Sequence, residues 1–91
     1  MNKVYKKCWP EYFEKILSGE KTFELRLNDF EIKPGDVLVL QEWDPKTGEY
    51  TGREVEKQAG YVLQFRPDQL FWSPAEVEKH GLQIISLHDS V

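Results

Sequence analysis

The strongest fold signal in the chain is a near-continuous apolar run at its centre, residues 37–43. β-branched and aromatic residues favour extended backbone, and a short apolar run between turn residues is typical of a buried strand. A proline-glycine turn signal precedes the run at residues 33–36, and a second turn-rich stretch follows it at residues 44–49. The run therefore predicts a central strand that begins after a tight turn and ends at a hairpin.

Two short helices are predicted on either side of this hairpin. Pro10 suits the first turn of a helix, because proline lacks the N–H that would be unpaired there, and Gly19 is typical of a left-handed helix end. Ser73 and Glu76 have the spacing of a capping box, which predicts the start of a second helix.

Alternating or β-rich segments predict five further strands, at residues 3–9, 21–27, 50–58, 60–65 and 82–88. We therefore expect a mainly β, α+β domain, a PUA/ASCH-like pseudobarrel of about six short strands with two short helices. Its wall is expected to be antiparallel and closed, because closure removes exposed strand edges. A chain of 91 residues is expected to form one domain, residues 1–91.

Composition excludes several classes of function. The chain carries 12 Lys and Arg against 16 Asp and Glu, which argues against general binding of a nucleic acid backbone. Residues 1–33 hold seven basic and six acidic side chains, so a local basic pocket there stays compatible with the sequence. The single cysteine, Cys8, excludes an internal disulfide, and two histidines are too few for a zinc cluster. With no membrane-length apolar run, we expect a cytoplasmic protein that needs no cofactor or metal.

The segment most informative about function is residues 19–26, directly after the first predicted helix. On a strand, Thr22, Glu24 and Arg26 point to one face, with Glu24 and Arg26 about 7 Å apart. The opposite face is apolar and holds Phe23, Leu25 and Leu27. Lys21 opens the same segment. This spacing suits either an ion pair between Glu24 and Arg26 or the binding of one polar ligand by both side chains. From spacing alone, a solvated strand surface without a ligand is the more frequent interpretation.

The pattern Gly-x-Lys-x-x-Glu-x-Arg in this segment resembles the ASCH domain of the PUA-like superfamily. Residues 9–13, 35–38, 42–45 and 50–53 extend the resemblance to a small family of bacterial and phage ASCH-like proteins. The similarity covers roughly residues 4–65, and residues 84–87 match the closing strand. It implies a β pseudobarrel and, by analogy, a role linked to RNA.

We therefore expect a cleft that binds RNA, as a single strand or a flipped base, or a nucleoside-sized ligand. Lys21 and Arg26 would donate to a phosphate or base oxygen. Glu24 would accept from an exocyclic amine or orient Arg26, and Thr22 would add a hydroxyl. Two further cations and a stacking aromatic are candidates for the same site, each with a structural alternative: Lys7, Arg53 and Trp72.

Two other functions stay open. The segment is also similar to bacterial amidohydrolases of acetylcytidine, a resemblance that implies a Lys and a Thr three residues later acting together. Lys21 matches the Lys, but Glu24 stands at the Thr position, so an enzyme here would use Lys21 and Glu24 to activate water. The third possibility is a protein-interaction module that uses the acidic C-terminal half.

Overall fold

The computed structural model describes residues 2–89 and builds them around a three-stranded mixed sheet. The strands are β1 (Lys3–Cys8), β2 (Val37–Asp44) and β3 (Glu49–Gln58). The helices are α1 (Pro10–Ser18) and α2 (Pro74–His80), with one 3-10 turn at Pro67–Gln69. None of the helices within residues 2–89 is long and apolar enough to cross a membrane.

The central strand β2 pairs with both other strands. Its pairing with β1 is parallel, and α1 provides the crossover that parallel neighbours need. Its pairing with β3 is antiparallel and follows the predicted hairpin. A register irregularity between Gln41 and Trp43 sets the single β2 residue Glu42 against residues 51–53 of β3, so the extra residues of this bulge lie on β3.

The core lies between α1 and one face of the sheet. Phe13 and Ile16, three residues apart on α1, are both buried, since that spacing puts them on one side of the helix. Together with residues of β1 and β2 they form one apolar cluster, composed of Cys8, Phe13, Ile16, Leu38 and Leu40. Val39 alternates with these strand residues, lies on the opposite face and is also fully buried.

The α+β class is confirmed, but the predicted closed barrel is wrong. The sheet described for residues 2–89 has three strands with β1 and β3 at its edges, and β1 runs parallel to its neighbour. Three predicted strands are irregular here, at residues 21–27, 60–65 and 82–88. Alternation decides which side chains share a face, whereas a strand also needs a neighbour for its backbone hydrogen bonds.

The predicted apolar face of residues 21–27 is wrong for the same reason. Without a paired strand to hold the alternation against a core, Leu25 and Leu27 are exposed and only Phe23 is half-buried. The helix signals, by contrast, are confirmed. Gly19 ends α1 with φ 84°, and Ser73 and Glu76 form the predicted capping box at the start of α2.

Candidate functional site

Lys21, Glu24 and Arg26 meet in a chain of two ion pairs. Lys21 Nζ donates to Glu24 Oε1 at 2.7 Å, and Arg26 Nε donates to Glu24 Oε2 at 2.8 Å. Lys21 Nζ also donates to the Phe23 carbonyl at 2.9 Å. The predicted polar row is therefore a connected cluster, although it lies on an irregular segment rather than on a strand. We call these three residues the Lys21–Glu24–Arg26 cluster.

Local sequence explains how this cluster is held against the fold. Gly19 ends α1 in a left-handed conformation, and the Lys21 backbone N–H then donates to the Lys15 carbonyl at 3.0 Å. The chain is thereby tied to the last turn of α1 before it continues towards the sheet. At the other end of the cluster, an Arg26 guanidinium N–H donates to the Lys7 backbone carbonyl on β1.

The cluster carries more positive than negative charge. Two cations share one carboxylate, and all three side chains are less than one-third exposed. An ammonium group has three donors and a guanidinium has five, so Lys21 and Arg26 keep N–H groups beyond the contacts described above. Each Glu24 oxygen, in contrast, already accepts a hydrogen bond from one of the two cations. The arrangement suits an anionic or carbonyl oxygen better than it suits an amine donor.

A depression of about 300 Å³ opens beside Lys21, between α1 and the segment that follows it. Two aromatic side chains, two cations and two carboxylates line it, and they are Glu11, Tyr12, Lys15, Glu20, Lys21 and Phe23. Lys21 Nζ lies 4.8 Å from the Phe23 ring centroid and 5.9 Å from that of Tyr12. The size matches the lower end of small-molecule pockets.

The other predicted site residues lie elsewhere. Thr22 is exposed beside the cluster. Lys7 contacts the cluster through its carbonyl alone, because its ammonium lies 4.5 Å from the Trp43 ring. Trp72 packs edge-on against exposed Phe71, with 6.1 Å between ring centroids, rather than in the depression.

Arg53 belongs to a second polar cluster, which is centred on Glu42. Glu42 is 4% exposed, and its carboxylate accepts from Arg53 Nε and Nη2, each at 2.9 Å, and from Thr51 Oγ1 at 2.6 Å. Arg53 also donates to Glu14 on α1. The hydrogen bonds from Arg53, followed by that from Thr51, lower the pKa of Glu42. This cluster therefore joins β2, β3 and α1.

Cys8 is a buried thiol of the core rather than a nucleophile. Burial raises the pKa of the Cys8 thiol, and the negative charge of Glu24 raises it further. A raised pKa keeps the sulfur protonated at neutral pH, whereas thiol chemistry needs the thiolate. Cys8 is 4% exposed and packs in the apolar cluster as a small hydrophobic side chain.

Sequence reasoning missed residues that line the depression and the buried carboxylate of the second polar cluster. Tyr12 and Glu11 line the depression although they belong to α1, and only the fold brings that helix beside Lys21. Glu42 has a signal in the sequence, because a carboxylate inside an otherwise apolar strand must find hydrogen-bond partners if it is buried. Among the described residues, no group of three or more His, Cys, Asp or Glu is placed to hold a metal ion.

The fold and the cluster define a small α+β domain in which a β-α-β crossover and a hairpin carry a charged site beside the crossover helix. The chain belongs to the family described as a domain of unknown function, DUF3850, whose model matches residues 5–70. This range contains Tyr12, the Lys21–Glu24–Arg26 cluster and Arg53, whereas Trp72 lies beyond it.

A protein of Escherichia phage P2, described as an uncharacterized 12.9 kDa protein in the GpA 3' region, is similar to this chain. The two are 40% identical over 57 residues, which is 62% of this chain and 50% of the phage protein. The chain therefore spans about half the length of this relative.

Proposed function

We propose that this domain binds a nucleotide, either free or within single-stranded RNA, at the depression beside the Lys21–Glu24–Arg26 cluster. One observation carries the proposal: Lys21, which shares the Glu24 carboxylate with a second cation, Arg26, lines a depression of about 300 Å³ with aromatic side chains in its wall. Excess positive charge next to an aromatic surface is the combination that a phosphate and a base need.

The cluster supplies the contacts to the phosphate in this proposal. Lys21 and Arg26 donate their remaining N–H groups to phosphate oxygens, and charge-assisted hydrogen bonds of this kind are the stronger ones. Glu24 holds the two cations in position and does not read a base, because each of its oxygens already accepts from one of them. The sequence predicts that Glu24 either accepts from a base amine or orients Arg26, and the role proposed here is the second of these.

The depression supplies the contacts to the base. Tyr12 and Phe23 offer ring surfaces, on which every base can stack without a sequence preference. Glu11 lies in the same wall and provides a carboxylate that can accept from a base amine. The resemblance to the ASCH domain agrees with this proposal and stays a prediction.

Titration of the isotope-labelled protein with nucleoside monophosphates and short single-stranded RNA, followed by NMR, tests the proposal. We expect saturable shifts at Tyr12 and at residues 21–26. Lys21→Ala should weaken binding by about tenfold or more, since a hydrogen bond to a charged group contributes about 1.5–3 kcal/mol.

The control variant is Lys79→Ala, which removes the same charge from α2, outside the cluster and outside the residues that line the depression. It should bind as the wild type does. Shifts that fail to saturate, or equal losses in the Lys21 and Lys79 variants, would refute a specific site. Circular dichroism of each variant separates a loss of binding from a loss of fold.

Hydrolysis of a modified pyrimidine is a second candidate function, favoured by one contact. Lys21 Nζ lies 2.7 Å from Glu24 Oε1, so the two residues that would activate water are adjacent. Water would add to the acetyl carbon of acetylcytidine, the C–N bond would break, and acetate and cytidine would leave. Turnover that disappears in Lys21→Ala would support this activity, and binding without turnover would exclude it for this substrate.

A further inference from the structure

We propose that the sheet face opposite α1 carries a second base-binding surface, formed by Tyr5, Lys7, Trp43 and Tyr50. We call it the sheet-face surface. The inference rests on the proposed function and makes it more specific, because a ligand that reaches both surfaces must be a single strand of RNA rather than a free nucleotide.

Strand register places the four residues on one face of the sheet. Trp43 and Tyr50 are direct partners in the antiparallel pairing of β2 and β3. Tyr5 and Lys7 are two residues apart on β1, so they share a face, and they lie opposite Val39 and Gln41 of β2. That face is the one away from the α1 core. Aromatic side chains from all three strands therefore lie on one side of the sheet.

The sheet-face surface is open at its two tyrosines and carries a cation, whereas Trp43 is partly buried and Val39 on the same face is fully buried. Tyr5 and Tyr50 are each 53% exposed. Lys7 Nζ lies 4.5 Å from the Trp43 ring centroid and 5.8 Å from that of Tyr50. Within residues 2–89, the ion pairs of the structure do not involve Lys7. Its charge is thus available to a phosphate while the rings offer stacking area, the combination typical of single-strand binding.

Arg26 connects this surface to the proposed nucleotide site. Its Nε donates to Glu24 in the cluster, and its guanidinium also donates to the Lys7 backbone carbonyl. The two surfaces thus meet at the outer edge of β1. A strand that crosses this edge occupies both, and linked binding events raise the overall affinity above that of either one.

Binding of uridine monophosphate and of an eight-nucleotide oligouridine, measured by isothermal titration calorimetry, tests the inference. We expect Tyr50→Ala to leave the affinity for the monophosphate unchanged. The affinity for the octanucleotide should fall by about tenfold, because one stacked base is lost. Tyr50→Phe keeps the ring and should restore most of that affinity. Tyr61→Ala is the matched control, since Tyr61 is an exposed tyrosine outside this surface.

The outcomes separate this inference from the proposed function. If the monophosphate binds and Tyr50→Ala leaves octanucleotide binding unchanged, the sheet-face surface is refuted and the proposed function stands. If only the octanucleotide binds, depends on Tyr50 and ignores Lys21→Ala, the proposed function fails and the sheet-face surface alone binds RNA. Equal losses in Tyr50→Ala and Tyr61→Ala, or no binding of either ligand, would overturn the inference.

Discussion

Replacement of Glu42 by Gln tests whether the second polar cluster holds the hairpin to the helix. The carboxylate is buried and accepts three hydrogen bonds, two from Arg53 and one from Thr51. An amide of the same shape loses the charge and turns an NH₂ group towards donors. Hydrogen bonds to charged groups contribute about 1.5–3 kcal/mol each, and removal of one partner from a buried pair costs about 3–5 kcal/mol.

Solvent reduces this magnitude, because half of the Arg53 side chain is exposed. We therefore expect Glu42→Gln to lower the free energy of unfolding by about 2 kcal/mol. For a domain of this size, that corresponds to a fall in Tm of roughly 8–16 °C. Urea unfolding at pH 7, followed by circular dichroism, measures the difference. Glu49→Gln, an exposed glutamate at the start of β3, is the control and should change stability by less than about 0.5 kcal/mol.

The difference in stability between the wild type and Glu42→Gln should also depend on pH. The pKa of Glu42 is lowered in the folded state, so folding favours its ionised form. Its contribution is complete above the unfolded pKa of about 4.3 and is lost as the pH falls through the lower folded pKa. The stability gap between wild type and Glu42→Gln should therefore narrow below about pH 4. A difference under about 0.5 kcal/mol at pH 7, or a gap that does not depend on pH, would refute the reasoning.

Two further substitutions test how α1 is packed and ended. Phe13→Ala should lower the free energy of unfolding by about 3–5 kcal/mol, because Phe13 is 1% exposed at the centre of the core. The control is Leu17→Ala, since Leu17 is half-exposed on the same helix. A similar loss of stability in this control would contradict the described packing of α1. Gly19→Ala should cost about 1–2 kcal/mol, measured by thermal unfolding, since φ is 84° there and an added Cβ meets no other atom. An unchanged Tm would mean that the left-handed helix end contributes nothing.

Elements with strong local signals are predictable from this sequence. The apolar run of β2, the proline and glycine that bound α1 and the capping box of α2 each act over a few residues, and the structure places all three elements where these signals predict them. The strands expected at residues 21–27, 60–65 and 82–88 rested on alternation or on β-rich composition. Neither signal identifies the strand with which a segment pairs, which is why these three predictions were wrong.

The candidate site also has a part that the sequence predicts and a part that only the fold assembles. The three members of the Lys21–Glu24–Arg26 cluster lie within six residues of sequence, so their proximity follows from chain geometry whether or not a strand forms. Their neighbours come from distant parts of the chain, since α1 brings Tyr12 to the depression and β1 brings the Lys7 carbonyl to Arg26. Contacts of this kind depend on how the elements pack, because no local pattern records which surfaces meet.

Glu42 illustrates both contributions. Its place inside an apolar strand already requires that a buried carboxylate have donors nearby, since an uncompensated charge in the interior is too costly. The donors are decided by the irregular register of β2 and β3, which aligns Arg53 and Thr51 with the carboxylate. The position of α1 gives Arg53 a second acceptor, Glu14. Residue type and spacing therefore determine the local elements and the need for a partner, and the long-range packing of those elements selects the partner.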